Sequence, residues 1–233
     1  MIRRLLAGTA LLSFLALGVG GLASAPAGAA SSGRHALVGT FNLQPGACFG
    51  SAVTGTYFRM IFPNGSVANG KFFDNPDSTC PNKAYTLAVP GAQGGFVTGK
   101  YQPNPVPAFN AQGGALAHGI VQPQSFTAID FSIATNQKDP QTGLAVPPPA
   151  ISVKNGKLSG QVEAWSASWN KLYFNQGSPK PNGTTPGLTA PLSGSYNAKT
   201  HAFVITWTSQ IVGGPFNGFT GLWHLAGTFH PAR

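Results

Sequence analysis

Apolar and polar residues alternate with a period of two along most of the chain, the pattern of strands that bury one face. The alternation is clearest near the C-terminus. Over 201–211, Phe203, Ile205 and Trp207 fall on one side and Val204, Thr206, Thr208 and Gln210 on the other. Over 218–230, Phe219, Gly221, Trp223, Leu225, Gly227 and Phe229 oppose Thr220, Leu222, His224, Ala226, Thr228 and His230. The odd positions carry the rings, so they are expected to face inward. Further strands are expected over 37–41, 53–62, 66–73, 84–89, 95–101, 125–134 and 151–153, and from Lys157 onward. Asn64–Gly65 and Asn155–Gly156 accept positive φ at both positions and predict two-residue hairpin turns. Beyond the N-terminal apolar run, helical periodicity is not sustained for more than about two turns.

Three Pro- and Gly-rich stretches, 102–119, 138–149 and 177–191, interrupt the strands. The first reads as a long surface loop or a linker. The fold class expected is all-β: a single antiparallel β-sandwich or flattened β-barrel of about eleven to twelve short strands, with long Pro/Gly-rich loops and the first and last strands close together. A five-residue unit recurs within these strands: LVGTF at 37–41, VTGTY at 53–57, VTGKY at 97–101, LSGQV at 158–162, LSGSY at 192–196 and LAGTF at 225–229. Its glycine leaves room for a ring from a neighbouring strand and lets a strongly curved sheet bend. The Gly-x-aromatic units, VTGTY at 53–57 among them, resemble those of avidin-like meander barrels. That likeness covers isolated five-residue units and implies neither a ligand nor binding residues. Their irregular spacing excludes a solenoid.

The N-terminus changes the picture of where this domain works. Arg3 and Arg4 precede an apolar run from Leu5 to Leu22, which is followed by small residues ending Ala27, Gly28, Ala29, the layout of a secretory signal peptide. The expected organisation is a signal peptide over 1–30 and an all-β domain over 31–233, secreted to the extracellular space or the cell wall, with no membrane association after cleavage. No second apolar run approaches the roughly 20 residues of a bilayer span. In an oxidising compartment Cys48 and Cys80 are expected to form a disulfide. Without Arg3 and Arg4, twelve of the 14 basic residues remain against five acids, a charge of 12 − 5 = +7. The basic residues are scattered singly, which excludes a nucleic-acid stripe. Charged residues make up only 8% of the chain, against about 25% in ordinary domains. Gly, Ser, Thr, Asn and Gln therefore supply most of the polar surface, which suits a neutral, hydroxyl-rich partner.

Little in the sequence carries catalytic chemistry. Asp74, Asp77 and Asp139 sit among turn residues. Asp130 and Glu163 lie in predicted strands and are the candidate acid/base pair of a hydrolase, which would need them about 5–10 Å apart. There is no nucleotide or dinucleotide fingerprint and no cofactor is expected. His35, His118, His201, His224 and His230 lack metal-ligand spacing, read as surface residues, and predict no metal site. The densest chemistry lies in 157–181, which holds Glu163, the chain's one glutamate, and two of its 4 tryptophans. Read as one strand, this stretch puts Leu158, Gly160, Val162, Ala164 and Ser166 on one face, and Gln161, Glu163, Trp165 and Trp169 on the other. The indoles then share a polar face, where Trp165, Trp169 and Tyr173 with Gln161, Asn170 and Asn175 would recognise a neutral glycan or a small amphipathic ligand. A bulge near Ser166–Ser168 would instead reset the alternation and send rings to the core. The function expected is a secreted, non-catalytic binding or envelope-associated protein with a neutral glycan as leading ligand. The alternatives are an extracellular hydrolase using Asp130 and Glu163, and a structural wall protein without a small ligand.

Overall fold

Period-two alternation becomes strand throughout the computed structural model, which describes residues 33–232. The signal peptide expected over 1–30 lies outside these residues. β1 (His35–Leu37) and β2 (Gly39–Leu43) are followed by the short hairpin of β3 (Ala47–Phe49) and β4 (Ala52–Thr54). Next come β5 (Tyr57–Ser66), β6 (Gly70–Phe72), β7 (Thr86–Leu87) and β8 (Gly95–Val97). After a long irregular stretch, β9 (Gln124–Phe126) and β10 (Ile129–Thr135) precede β11 (Ala150–Lys154) and β12 (Lys157–Gln161). β13 (Trp165–Trp169), β14 (Leu172–Asn175), β15 (Ala190–Tyr196), β16 (Ala202–Gln210) and β17 (Thr220–Pro231) complete the chain. Among the described residues no helix is long and apolar enough to cross a membrane.

The fold is all-β, but the single sandwich or barrel of about eleven to twelve strands expected from the alternation is corrected to three separate sheets. The largest runs β1-β11-β12-β15-β16-β17-β2-β8, with β5 also pairing β17 and carrying β6 and β7 on its other side. A second, four-stranded sheet runs β14-β13-β10-β9, and β3 and β4 form a third. One strand explains the curl of the large sheet. β17 gives its first half, Thr220 to His224, to β5 and its second half, Gly227 to Pro231, to β2. The expectation that the first and last strands meet holds through Phe41 opposite Phe229.

Two of the recurrent glycines sit where neighbouring strands approach closely. A Cβ at Gly194 would meet the Val204 carbonyl, and one at Gly227 the Asn42 carbonyl, both on the adjacent strand. Only glycine permits that approach without shifting backbone. The Asn155–Gly156 turn forms as expected, both residues having positive φ (51° and 73°). The other expected hairpin is displaced: Asn64–Gly65 lies inside β5, and the chain turns at 67–69 after a register shift between Ile61 and Ser66. Alternation alone does not detect that irregularity.

The core lies between the inner face of the large sheet and the four-stranded sheet. Phe203, Ile205, Trp207, Trp223, Leu225 and Phe229 are buried, as their odd positions required. Trp165 from β13 meets Trp207 edge-on at 5.2 Å and Trp223 at 5.6 Å, and its edge-on contact with Phe96 is 5.9 Å. Such ring pairs add about 0.5–1.5 kcal/mol each beyond the area they bury. The 102–119 stretch is tied to this body, since Gln102 bridges to Thr135 and the Ala115 amide donates to the Asp130 carbonyl at 3.0 Å. Cys48 and Cys80 form the disulfide, with Cα atoms 5.7 Å apart.

Candidate functional site

The stretch expected to carry the ligand does not run as one strand. β12 stops at Gln161, whose side chain latches a bend: its Oε1 accepts from the Glu163 amide at 2.8 Å and its Nε2 donates to the Pro148 carbonyl at 2.6 Å. The Trp165 amide then donates to the Val162 carbonyl at 3.0 Å, closing a turn before β13. β13 joins a different sheet, and all five of its residues are buried. The placement of both indoles on a polar face is therefore corrected. Trp165 is 0% exposed and Trp169 8% exposed, because the bend resets the alternation and both faces of β13 are covered.

The other candidates are dispersed as well. Asn170 and Lys171 have positive φ (49° and 60°) and form the two-residue turn between β13 and β14. Tyr173 is half-buried against Phe109, ring centroids 5.2 Å apart, beside a recess of about 250 Å³ that Lys171 and Gln141 also line. Asn175 is buried, its Oδ1 accepting from the Gly177 amide at 3.0 Å and its own amide donating to Gln141 at 3.1 Å. The six residues do not share one surface.

Nor does the fold bring the strand acids together. Asp130 is exposed near the start of β10, whereas Glu163 lies two residues before Trp165, which pairs with Thr135 at the far end of that strand. Five ladder positions, about 17 Å at ordinary strand rise, separate Asp130 from Thr135, and Glu163 lies beyond that end, in the turn before β13. Burial raises the Glu163 carboxyl above its usual pKa. Among the described residues no group of three or more His, Cys, Asp or Glu side chains is placed to hold a metal ion. His224 departs from the surface reading: it is half-buried, stacked on Tyr57 at 4.4 Å, and burial lowers its pKa.

Two buried polar features have structural work. Gln176, 1% exposed, receives the Trp207 indole N–H on its carbonyl at 2.9 Å and the Trp223 indole N–H on Oε1 at 3.1 Å. Lys180 is buried and donates to the carbonyls of Asn175, at 2.8 Å, and Gln210. Burial pulls its amine down to about 8, with Asp139 acting in the opposite sense. The amine thus ties the ends of β14 and β16 together inside the protein.

The open chemistry lies elsewhere, along the segments 92–105 and 117–120. A cleft of about 230 Å³ is lined by Gln93, Tyr101, Pro103, Pro105 and His118, over a floor of Ile120 and Ile133. Tyr101 and Pro103 also border an adjoining hollow of about 590 Å³ with Lys100 and Gln137. Hydrogen bonds fix the cleft: Tyr101 donates to the Val146 carbonyl at 2.7 Å, and buried Gln102 donates to Gln93 Oε1 and to the Gly95 carbonyl at 2.8 Å. His118 is exposed, and its Nδ1 lies 3.2 Å from the Leu116 carbonyl. No acid lines either hollow. Sequence reading missed this site because Pro103, Pro105 and His118 sit in the Pro/Gly-rich stretch 102–119, while Gln93 and Tyr101 flank it; the one available signal was Tyr101, Pro103 and Pro105 falling together. A void of about 40 Å³ between the sheets is walled mainly by rings, among them Phe58, Phe131, Trp169 and Trp223, with Gln176 also on its lining.

Comparison with protein-family models, with curated proteins and with solved structures finds no match for this chain.

Proposed function

We propose that the protein is an exported, non-catalytic binding protein that takes a neutral glycan in the cleft around Tyr101. The observation that carries this reading is the cleft's composition: a half-buried ring, two prolines, an amide and an imidazole, with no carboxylate. Sugars are recognised by flat apolar faces that stack on their C–H surface, joined by a few fixed hydrogen-bonding groups. Tyr101 and Pro103 offer the first; Gln93 and His118 offer the second. The low charge content and the signal-like leader support the same reading. Glycoside hydrolysis needs two carboxylates flanking one bond, and the placement of Asp130 and Glu163 towards opposite ends of β10 argues against that alternative.

The test is isothermal titration of the mature protein with neutral oligosaccharides, repeated on Tyr101→Ala. The expected result is saturable binding by the parent and at least a tenfold loss in the variant. Equal affinity in the two proteins would remove the cleft from the account.

A further inference from the structure

The outer face of β5 carries a cation that no acid meets. Phe58 and Met60 point into the core, so Tyr57 and Arg59 stand on the opposite face. The Arg59 guanidinium carbon lies 3.2 Å from the centroid of the Phe72 ring and 4.2 Å from that of Tyr85. Both rings therefore pack on the guanidinium. Its N–H donors lie in the plane of the group. Nε is buried without an acceptor, and among the described residues no hydrogen bond or ion pair to the guanidinium is formed. The charged form is held by burial at a cost, and the groups acting on it are the phenols of Tyr85 and Tyr57.

Tyr85 links Arg59 to two further rings. Tyr57 and Tyr85 meet edge-on at 5.0 Å, and Tyr57 stacks on His224 with rings 8° from parallel. Burial raises the Tyr57 phenol, so it keeps its proton at neutral pH and can donate. Arg59, Tyr57, Tyr85 and His224, each partly exposed as a residue, thus form one cluster of a guanidinium, two phenols and an imidazole. A planar oxyanion matches an in-plane fork best, because a carboxylate takes two parallel N–H bonds from arginine.

We propose that this face of β5 is a second binding site, separate from the Tyr101 cleft, for a carboxylate carried on a hydroxylated ring, of which a uronic acid is the simplest. Arg59 receives the carboxylate, the hydroxyls of Tyr57 and Tyr85 bond its outer oxygens or the adjoining ring hydroxyls, and the Tyr57–His224 stack lies against the ring.

The test uses the mature protein with D-galacturonate, its neutral methyl ester and acetate as probes, read by calorimetry. The expected order is galacturonate binding saturably, with the ester and acetate each at least tenfold weaker. No saturable galacturonate binding, or an ester that binds as well as the acid, would overturn the site. Acetate binding as tightly as galacturonate would remove the ring from the proposal and so overturn it as stated. Arg59→Lys keeps a positive charge but loses the fork, and at least a tenfold loss is expected. Since Arg59 packs against two rings, Tyr85→Phe is measured beside it: the ring stays, the hydroxyl goes, and a severalfold loss with an unchanged melt is expected. Unaltered affinity in Tyr85→Phe and in a folded Arg59→Lys would overturn the assignment. Tyr101→Ala should leave galacturonate binding intact, so this site and the neutral-glycan cleft fail independently.

Discussion

Replacing Lys180 by methionine should make the protein more stable near neutral pH and remove a specific pH dependence. The folded amine titrates at about 8 against 10.5 for an unperturbed lysine. The unfolded chain therefore holds that proton more tightly than the folded protein does. Stability from this group is fully present above 10.5, falls as pH drops through the interval, and reaches its minimum below about pH 8. The whole interval corresponds to about 3 kcal/mol, of which about 2 kcal/mol separates pH 7.5 from pH 9.5. The assay is urea denaturation of parent and Lys180→Met at pH 7.5, 8.5 and 9.5. Groups common to both proteins cancel in the difference. Parent stability minus variant stability should rise by about 2 kcal/mol across that range. A difference that stays flat would refute the claim that burial destabilises the charged amine. A variant far less stable at every pH would instead show that the two carbonyl hydrogen bonds outweigh the desolvation.

Four further outcomes are expected. Trp165→Ala and Trp169→Ala should each lose about 3–5 kcal/mol in the same denaturation assay, since both indoles are buried. Gly227→Ala should lower the melting temperature sharply, because its Cβ would strike the Asn42 carbonyl and force β17 from β2. Reduction of the Cys48–Cys80 disulfide, whose cysteines are 32 residues apart, should cost about 4 kcal/mol on the chain-entropy model, read as a lower denaturation midpoint. On the acid side, the lowered His224 pKa means the unfolded state takes up that proton first, so stability should fall as pH drops below 6.5. His224→Phe should flatten that limb of a melting-temperature profile.

How far the sequence could be read depended on whether a residue's surroundings were local. The last two strands were legible because Phe203 to Trp207 and Trp223 to Phe229 keep strict alternation against one buried face. At Gly194 and Gly227 of the recurrent unit the nearest neighbour is a carbonyl of the adjacent strand, where the unit suggested room for a ring. The division into three sheets was not legible, since it turns on a bend at Glu163–Ala164 latched by Gln161, and no periodicity encodes which strand β13 will pair with. That same bend reversed the reading of Trp165 and Trp169: alternation carried across it assigns them to the polar face, whereas the partner sheet buries them. The Tyr101 cleft stayed hidden for another reason. Its walls come from a loop and its floor from Ile120 and Ile133, so the site exists only once 92–105 and 117–120 are folded against β10. Arg59 is similar, because its two covering rings arrive from β6 and from the segment before β7.

The decisive experiment is a glycan-array screen of residues 31–233 followed by calorimetry and product analysis on the tightest neutral hit, with Tyr101→Ala in parallel. The expected result is binding of an uncharged oligosaccharide that is recovered uncleaved, lost at least tenfold in the variant while its melting temperature holds. Binding that survives in Tyr101→Ala, no neutral glycan bound at all, or cleavage of the bound glycan would contradict it.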